Sequence, residues 1–410
     1  MSKKEIFIIL ITAIIFALAG FGFFVFLRQN TFKTPIDVGG SEGGITPFPS
    51  GGEDRTSVKP GGGTGSGRFV DQDGQDTPVK KGQLIQLTED LVSGAAPVSS
   101  TTLRYMERST GNVYEVGYSG KNRKRLTNTT ILKSFETFWT SKANKVLIKY
   151  FEEAGAAAER SVKNFLADLS GLSGEPKELG GVFLPSGIKA AAVSPVEDKV
   201  FYLILADGEH QGIVANFKNE NKNSIFSLNF GEFNAEWPSR DIITLITKPA
   251  AMADGYLYFL NQRTEKFERI LGGIKGLTAR VSPDASKIIY SASDSRSGNF
   301  NTRILDTASN SSPEFDFNTL PEKCVWGASS KTIYCAAPKS LPKADYPDEW
   351  YSGEVSFNDS LWKKDFTDGS TALLYKDLGF DAINLSLSEN GEYLIFVDKA
   401  TGILWSLILK

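Results

Sequence analysis

The chain has 410 residues and a hydrophobic content of 41%, so it can bury a large core. Its 45 Lys and Arg residues are balanced by 48 Asp and Glu residues, giving a net charge of −3. This balance provides no basic field for a polyanion, so nucleic acid is excluded as an expected partner. A single histidine excludes a three-histidine metal centre, and no cofactor is expected.

The first predicted element is a membrane anchor in residues 1–28. No charged residue interrupts Ile6 to Leu27, and a helix of that length spans about 33 Å, enough to cross a hydrocarbon core of about 30 Å. A cleaved signal peptide is the alternative, because Ala17 to Ala19 fits a small-residue cleavage site. Cleavage there would leave a strongly apolar segment at the new N-terminus, which favours an uncleaved signal-anchor with the later residues outside the cytoplasm, in the periplasm or at the cell surface.

Residues 29–80 form the second region, a predicted disordered linker. It contains 12 Gly and 5 Pro, with Ser, Thr, Asp and Glu filling much of the remainder. Such a segment buries too little apolar surface to offset the entropy lost on ordering. It is therefore interpreted as a flexible tether between the anchor and a globular domain in residues 81–410.

A repeated turn organises the rest of the chain. Ser282 opens a Ser-Pro-Asp turn, and Lys287 follows five residues later with an apolar triplet behind it. Ser194 and Lys199 repeat that spacing, and Ser388 opens a third copy. Weaker copies begin near residues 97, 140, 238 and 326. A β-rich unit recurring about every 44 residues is typical of a four-stranded propeller blade, so an all-β, seven-bladed β-propeller is predicted, or six blades if the degenerate first copy is not one.

The two ends of this domain are predicted to meet in one blade. The last copy supplies three strands before the chain ends at Lys410, whereas residues 82–90 (GQLIQLTED) form an extra β-rich run before the first copy. Pairing that run with the final hairpin would complete the last blade and leave no unpaired edge.

The Ser-Pro-Asp turn with its lysine and apolar triplet resembles the WD-like repeats of the TolB family of propellers. The resemblance extends over residues 94–410. Ala285 stands where the family often has glycine, and Glu389 and Asn390 replace Pro-Asp in the third copy. The resemblance implies a propeller that docks other proteins, and it brings no catalytic residues with it.

The two cysteines and the single histidine are candidate sites of chemistry. Cys324 and Cys335 flank a turn, and antiparallel pairing about it places them opposite each other. A disulfide and a pair of buried free thiols both remain open. His210 is expected near a hairpin tip, and no nucleophile elbow accompanies it. No catalytic residue and no metal ligand is predicted.

The sixth unit is longer than the others. Its extra residues, 339–357, are predicted to lie between the second and third strands of the blade. They carry the candidate binding residues Tyr346, Asp348, Glu349, Trp350 and Tyr351. Aromatic rings beside carboxylates in a loop suit a recognition site. The alternative is a loop folded onto the blade, with its rings buried as a local cap.

These features predict a membrane-anchored, extracytoplasmic propeller that binds a protein, a peptide or a glycan at the cell envelope. An exported hydrolase or lyase acting on an extracellular polymer at the channel mouth is the alternative, and a structural spacer is a third interpretation. An enzyme would require titratable groups that converge in the channel with shifted pKa values.

Overall fold

The computed structural model describes residues 80–152, 161–294 and 297–410. The predicted anchor and nearly all of the predicted linker lie outside these residues, so both remain predictions. No helix in the described ranges has the length and apolar character needed to cross a bilayer.

The described residues form seven antiparallel sheets that follow one another in chain order, which is the architecture of a seven-bladed β-propeller. Six sheets have four strands and one has three. The first strand is β1 Leu84–Gln86; blade 1 contains β2 Val92–Pro97, β3 Thr102–Glu107, β4 Val113–Gly117 and β5 Lys124–Arg125, and blade 2 contains β6 Ser134–Trp139, β7 Lys145–Glu152, β8 Ser161–Asp168 and β9 Gly180–Phe183. Blade 3 contains β10 Ile188–Val193, β11 Lys199–Ala206, β12 Glu209–Asn216 and β13 Asn223–Leu228, and blade 4 contains β14 Phe233–Glu236, β15 Ile242–Thr247, β16 Asp254–Asn261 and β17 Phe267–Lys275. Blade 5 contains β18 Thr278–Val281, β19 Lys287–Asp294 and β20 Asn299–Asp306; blade 6 contains β21 Cys324–Trp326, β22 Thr332–Pro338, β23 Asp359–Asp365 and β24 Thr371–Tyr375; and blade 7 contains β25 Ala382–Leu387, β26 Tyr393–Asp398 and β27 Leu404–Ile408. Two short helices accompany them, a 3-10 helix at Pro321–Lys323 and a one-turn helix α1 at Asp348–Ser352.

Blade 7 is completed by the first strand of the domain. Strand β1 pairs antiparallel with β27, with Leu84 opposite Leu407 and Gln86 opposite Trp405. The predicted closure of the ring is therefore confirmed, and the count is seven rather than six. Because β1 covers the edge of β27, the final hairpin presents no unpaired strand edge at that position.

Blade 5 departs from the prediction at its outer edge. A four-stranded blade predicts an outer strand after β20, but the segment there, SPEFDFNTL (residues 312–320), makes a single bridge, between Arg303 and Glu314. The chain leaves the ladder directly afterwards, because the side chain of Asn318 accepts the N–H of Thr302 at 3.1 Å. The side-chain oxygen of Asn318 thus accepts the backbone N–H of Thr302 with which a further strand would have paired.

The second strand of each blade carries much of the core. Ile288 and Ile289 of β19 are fully buried, as are Val200 and Phe201 of β11. Successive residues of a strand point to opposite faces of its sheet, so burial of adjacent residues means that both faces are covered. Each blade is therefore stabilised by its two neighbours.

The repeated turn closes each blade with local hydrogen bonds. Ser282 Oγ accepts the N–H of Lys287 at 2.9 Å, and the Ser282 N–H donates to the Lys287 carbonyl at 2.8 Å. Ser388 makes the same pair of bonds with Tyr393, each at 2.9 Å. Ala285 has φ 58°, in the left-handed region that favours glycine. The position where the family often has glycine is thus one where glycine would relieve strain.

The alternation of strand direction gives the ring two distinct faces. The turns between first and second strands lie on one side, here called the turn face. The connections between second and third strands, together with the crossings from blade to blade, lie on the opposite side, here called the crossing face. The insertion of blade 6 lies on the crossing face.

Candidate functional site

The insertion between β22 and β23 reaches well beyond its own blade. Asp348 Oδ2 accepts the N–H of Ala251 at 2.8 Å, in the crossing-face connection of blade 4. The N–H of Ala344 donates to the carbonyl of Gly298 at 2.9 Å, in blade 5. On the other side, Lys399 Nζ of blade 7 donates to the carbonyl of Trp350. The insertion, residues 339–358, therefore contacts the connections of three other blades and is called the cap below.

The aromatic rings of the cap are largely buried. Tyr346 is 1% exposed and Trp350 is 4% exposed, and both pack in a cluster with Phe300 and Phe357. An exposed recognition patch built on these two rings is not formed, because the apolar ring surfaces are used to seal the cap against the blades. The alternative interpretation, a loop folded down as a cap, describes their placement.

The other predicted binding residues lie at the rim of the cap. Tyr351 is 43% exposed, and its hydroxyl donates to Glu322 Oε1. Asp348 is exposed although its carboxylate holds the blade 4 connection, and Glu349 is half-buried. Of the five candidate residues, Tyr351 and Asp348 are thus the ones that present substantial surface to solvent.

A buried charge cluster lies beneath the cap. The ammonium group of Lys323, at the end of the 3-10 helix, donates to Asp359 Oδ2 at 2.7 Å, to Asp381 Oδ1 and to the Ala382 carbonyl at 3.0 Å. The side chains of Lys323, Asp359 and Asp381 are completely inaccessible to solvent. These three residues, called the Lys323 cluster, come from the start of blade 6, its third strand and the crossing to blade 7.

The two carboxylates of the Lys323 cluster have different surroundings. Asp381 Oδ2 accepts hydrogen bonds from the Trp350 Nε1–H at 2.8 Å, the Phe357 N–H at 3.1 Å and the Ser356 hydroxyl at 3.3 Å. All three donors belong to the cap. Asp381 is therefore held by donors on one oxygen and by the lysine on the other.

Asp359 is less fully satisfied. Its Oδ2 accepts the Lys323 ammonium and the Ala382 N–H, the latter at 2.7 Å, whereas its Oδ1 is buried and has no hydrogen-bond partner among the described residues. Burial raises the pKa of Asp359 to about 6, although the charge of Lys323 opposes that rise. Asp359 is thus a carboxylate that can take up a proton near neutral pH.

A second group of titratable side chains joins the cap to the inner strands. Burial raises the pKa of Glu322, and the Tyr351 hydrogen bond opposes the rise. Arg280 of β18 donates to the Cys324 carbonyl at 2.7 Å and to Glu236 Oε1 of β14 at 3.2 Å. Inner strands of three successive blades are therefore linked through one guanidinium group. This group of Glu236, Arg280, Glu322 and Tyr351 is called the channel group.

Exposed apolar side chains concentrate on the crossing face. The described residues include ten large hydrophobic side chains that are exposed, and two of these lie elsewhere, Val196 on the turn face and Leu373 in the outer strand β24. The other eight are in crossing-face connections or at the strand ends that meet them: Leu91, Leu132, Val162, Phe183, Leu205, Phe230, Met252 and Tyr351. Among the described residues, exposed large apolar side chains are thus far more frequent on the crossing face than on the turn face.

The cysteines lie in the β21–β22 ladder, whereas the histidine lies beside the crossing-face connection of blade 3. Cys324 is directly opposite Cys335 in the β21–β22 ladder, and the two are joined by a disulfide. His210 lies near the start of β12, beside a tight hairpin connection. Within residues 80–152, 161–294 and 297–410, no three His, Cys, Asp or Glu side chains converge in a way that could hold a metal ion.

The Lys323 cluster was not anticipated from the sequence. Its aspartates lie 36 and 58 positions from the lysine in the sequence. In the sequence, neither aspartate differs from an ordinary polar residue at a blade boundary. The extra length of the sixth unit was the one feature of the sequence that could have pointed to the Lys323 cluster, because the extra residues form the cap that covers it. The channel group was likewise missed, because its members come from three separate repeats.

Comparison with known proteins supports the architecture. No protein-family model matches this sequence, and no curated protein matches it. Among solved structures, oligogalacturonate lyase in complex with manganese is 12% identical, with 81% of this chain and 99% of that chain covered and a TM-score of 0.52. The β-propeller domain of Cps50 (Swd1) from Myceliophteria thermophila is 12% identical, with 80% and 100% covered and a TM-score of 0.49.

TolB from Acinetobacter baumannii is also similar, at 13% identity, with 76% of this chain and 64% of that chain covered and a TM-score of 0.42. The chain has a β-propeller fold, which the likeness to oligogalacturonate lyase, at a TM-score of 0.52, supports. The resemblance read from the Ser-Pro-Asp turns is confirmed at that level. Identities this low establish the fold and leave the function to the site.

Proposed function

We propose that this chain is a membrane-anchored, extracytoplasmic binding scaffold that docks a protein or peptide partner on its crossing face. The observation that carries the proposal is the concentration of exposed apolar side chains there. The mixture of aliphatic and aromatic groups, including Leu132, Phe230 and Met252, suits a protein surface, whose interface core is rich in such residues. A rigid ring holds these groups in place before the partner arrives, which lowers the entropy lost on binding.

Site-specific photocrosslinking tests the docking face in the full chain, kept in its native membrane. A benzophenone amino acid replaces Phe230, Met252 or Tyr351 on the crossing face, and Val196 or Leu373 as exposed apolar controls elsewhere. We expect the three crossing-face positions to give an adduct with one common protein and the two control positions to give none. Adducts formed from Val196 or Leu373 alone would contradict the proposal.

The anchor is tested separately. N-terminal sequencing of the membrane-extracted protein should find the residues preceding Ile6 still attached. A chain that begins at Gly20 would identify a cleaved signal peptide instead and would remove the membrane attachment from the proposal.

The channel group favours a second candidate function, an exported lyase or hydrolase acting on an extracellular polymer. Burial raises the pKa of Glu322, and a carboxyl group with a raised pKa beside Arg280 and Tyr351 suits general acid-base catalysis. Incubation with a panel of acidic polysaccharides and measurement of new chain ends tests it. Activity lost in Glu322→Gln and kept in Glu232→Gln, a surface control, would favour the enzyme over the scaffold.

A further inference from the structure

The Lys323 cluster carries an unusual charge balance for a protein interior. One ammonium and two carboxylates are fully buried together, which leaves one negative charge in excess. Removing charges from water costs several kcal/mol per ion, and attraction between the partners offsets only part of that cost. A reaction that consumes the ammonium and one carboxylate would leave a neutral amide in their place and relieve much of this cost.

The cluster also holds the groups that such a reaction requires. Lys323 Nζ contacts both carboxylates, so a nucleophilic nitrogen and a carboxyl carbon are already adjacent. The cap directs three donors, from Trp350, Ser356 and Phe357, at Asp381 Oδ2. Donors fixed on that oxygen stabilise the negative charge that develops when a nucleophile adds to the carbon.

Asp359 has the position and the character of a proton carrier. It is hydrogen-bonded to the ammonium, and its second oxygen has no partner among the described residues. A carboxylate whose pKa is raised to about 6 accepts a proton more readily than an ordinary aspartate does. The rings of Trp350 and Phe357 lie 5.6 and 5.2 Å from Nζ and help to exclude water.

We propose that Lys323 and Asp381 join in an intramolecular isopeptide bond, formed by the folded chain itself. Asp359 takes one proton from the Lys323 ammonium and passes it to Oδ1 of Asp381, and the neutral nitrogen then adds to Cγ of the protonated carboxyl group. The tetrahedral intermediate carries its negative charge on Oδ2, facing the three cap donors. A second proton passes from the nitrogen to the Oδ1 hydroxyl, which leaves as water, and Oδ2 becomes the carbonyl oxygen of the amide. One C–N bond forms, one C–O bond breaks, and no oxidant or other reactant is needed.

The bond would tie the chain across blade 6. It would close a loop between residues 58 positions apart, from the crossing that enters the blade to the crossing that leaves it. The Cys324–Cys335 disulfide lies within the same blade, so the blade would carry two covalent links. A cross-link restricts the unfolded chain and so stabilises the folded one. In this arrangement the cap serves as the lid of a reaction site.

Intact mass spectrometry of the purified full chain, with the disulfide reduced, tests the proposal directly. We expect the mass to fall short of the sequence mass by one water molecule. A tryptic digest should then contain segment 304–331, uncleaved after Lys323, joined to segment 377–399, which holds Asp381. The full sequence mass in folded wild-type protein would overturn the proposal. A link from Lys323 to segment 344–363, which holds Asp359, would overturn the assignment of the two aspartates.

Four variants assign the roles. Lys323→Arg keeps the charge without a reactive amine, and Asp359→Asn removes the proton carrier, so both should have the full mass. Asp381→Asn should still react, losing ammonia rather than water. Lys248→Arg, a control at a surface lysine paired with Glu232, should lose water as the wild type does. Loss of water in Lys323→Arg would place the reaction elsewhere in the chain and contradict the proposal.

Discussion

The two faces of the propeller are built in different ways. On the turn face, five of the seven blades are closed by a hydrogen-bonded turn whose partners are five residues apart, as Ser282 and Lys287 are. On the crossing face, the decisive contacts join distant parts of the chain, as when Asp348 holds Ala251 across 97 positions. Regular local hydrogen bonds close the turns, and long-range contacts hold together the connections of the crossing face.

The difference extends to the polar groups that each face uses. The turn face keeps its carboxylates near solvent and satisfies them with neighbouring hydroxyl and amide groups, as at Asp284. On the crossing face, the Lys323 cluster is completely buried, and the cap supplies three donors to one oxygen of Asp381. A substitution in the Lys323 cluster should therefore have larger effects than one in a turn, and three predictions test that order.

The largest expected effect comes from Lys323→Met. The variant removes the Lys323 nitrogen, both as the cation and as a partner for the proposed isopeptide bond, and leaves Asp359 and Asp381 buried without it, which is expected to cost about 3–5 kcal/mol of unfolding free energy. Guanidinium denaturation followed by tryptophan fluorescence measures the change. Lys248→Met is the control, because Lys248 pairs with Glu232 at the surface and such exposed pairs contribute little. Equal effects of the two substitutions would remove the distinction between the faces.

An intermediate effect is expected in the pH dependence of stability. The pKa of Asp359 is raised from 3.8 to about 6 in the folded chain. The stabilisation from this group is therefore fully present below pH 3.8 and is lost as the pH rises through about 6. The proposed isopeptide bond adds a contribution to wild type that does not depend on pH, so the free-energy advantage of wild type over Asp359→Asn should still shrink between pH 4 and pH 7, by up to about 3 kcal/mol.

Denaturation curves for both proteins at intervals across that range provide the measurement. The direction of this pH dependence is informative because most paired carboxylates have the opposite effect, so that the protein loses stability as the pH falls. An advantage of wild type that grows with rising pH would show that Asp359 is charged throughout and would contradict its raised pKa.

The smallest effect is expected at Asp284 in the turn of blade 5. Burial acts to raise its pKa, but hydrogen bonds from Ser286, Ser282 and Ser330 outweigh that effect and hold it at about 2. Asp284→Ala removes the shared acceptor and should cost about 1 kcal/mol at pH 7. Asp284→Asn should cost less, because Asn390 fills the same position in blade 7 and accepts the Ser388 hydroxyl at 2.8 Å. A larger loss in the asparagine variant would show that the charge itself matters there.

Much of the scaffold could be predicted from the sequence. The spacing from Ser282 to Lys287 located the turns, and the three strands of the last copy predicted that residues near Leu84 would close the ring. The facing positions of Cys324 and Cys335 followed from the symmetry of a short turn. These predictions rest on local hydrogen bonds and on the two-residue period of a strand, both of which are visible in the order of residues.

The sequence by itself determined the repeat, the closure and the place of the long insertion, and it limited the blade count to seven or six. The tertiary structure alone decided that Tyr346 and Trp350 turn inward, that the cap reaches blades 4, 5 and 7, and that Lys323 meets two aspartates. The physical reason is that burial and charge pairing depend on which distant segments the ring brings together. The residue type determines which interactions a side chain can make, and the closed ring determines which partners lie close enough for it to make them.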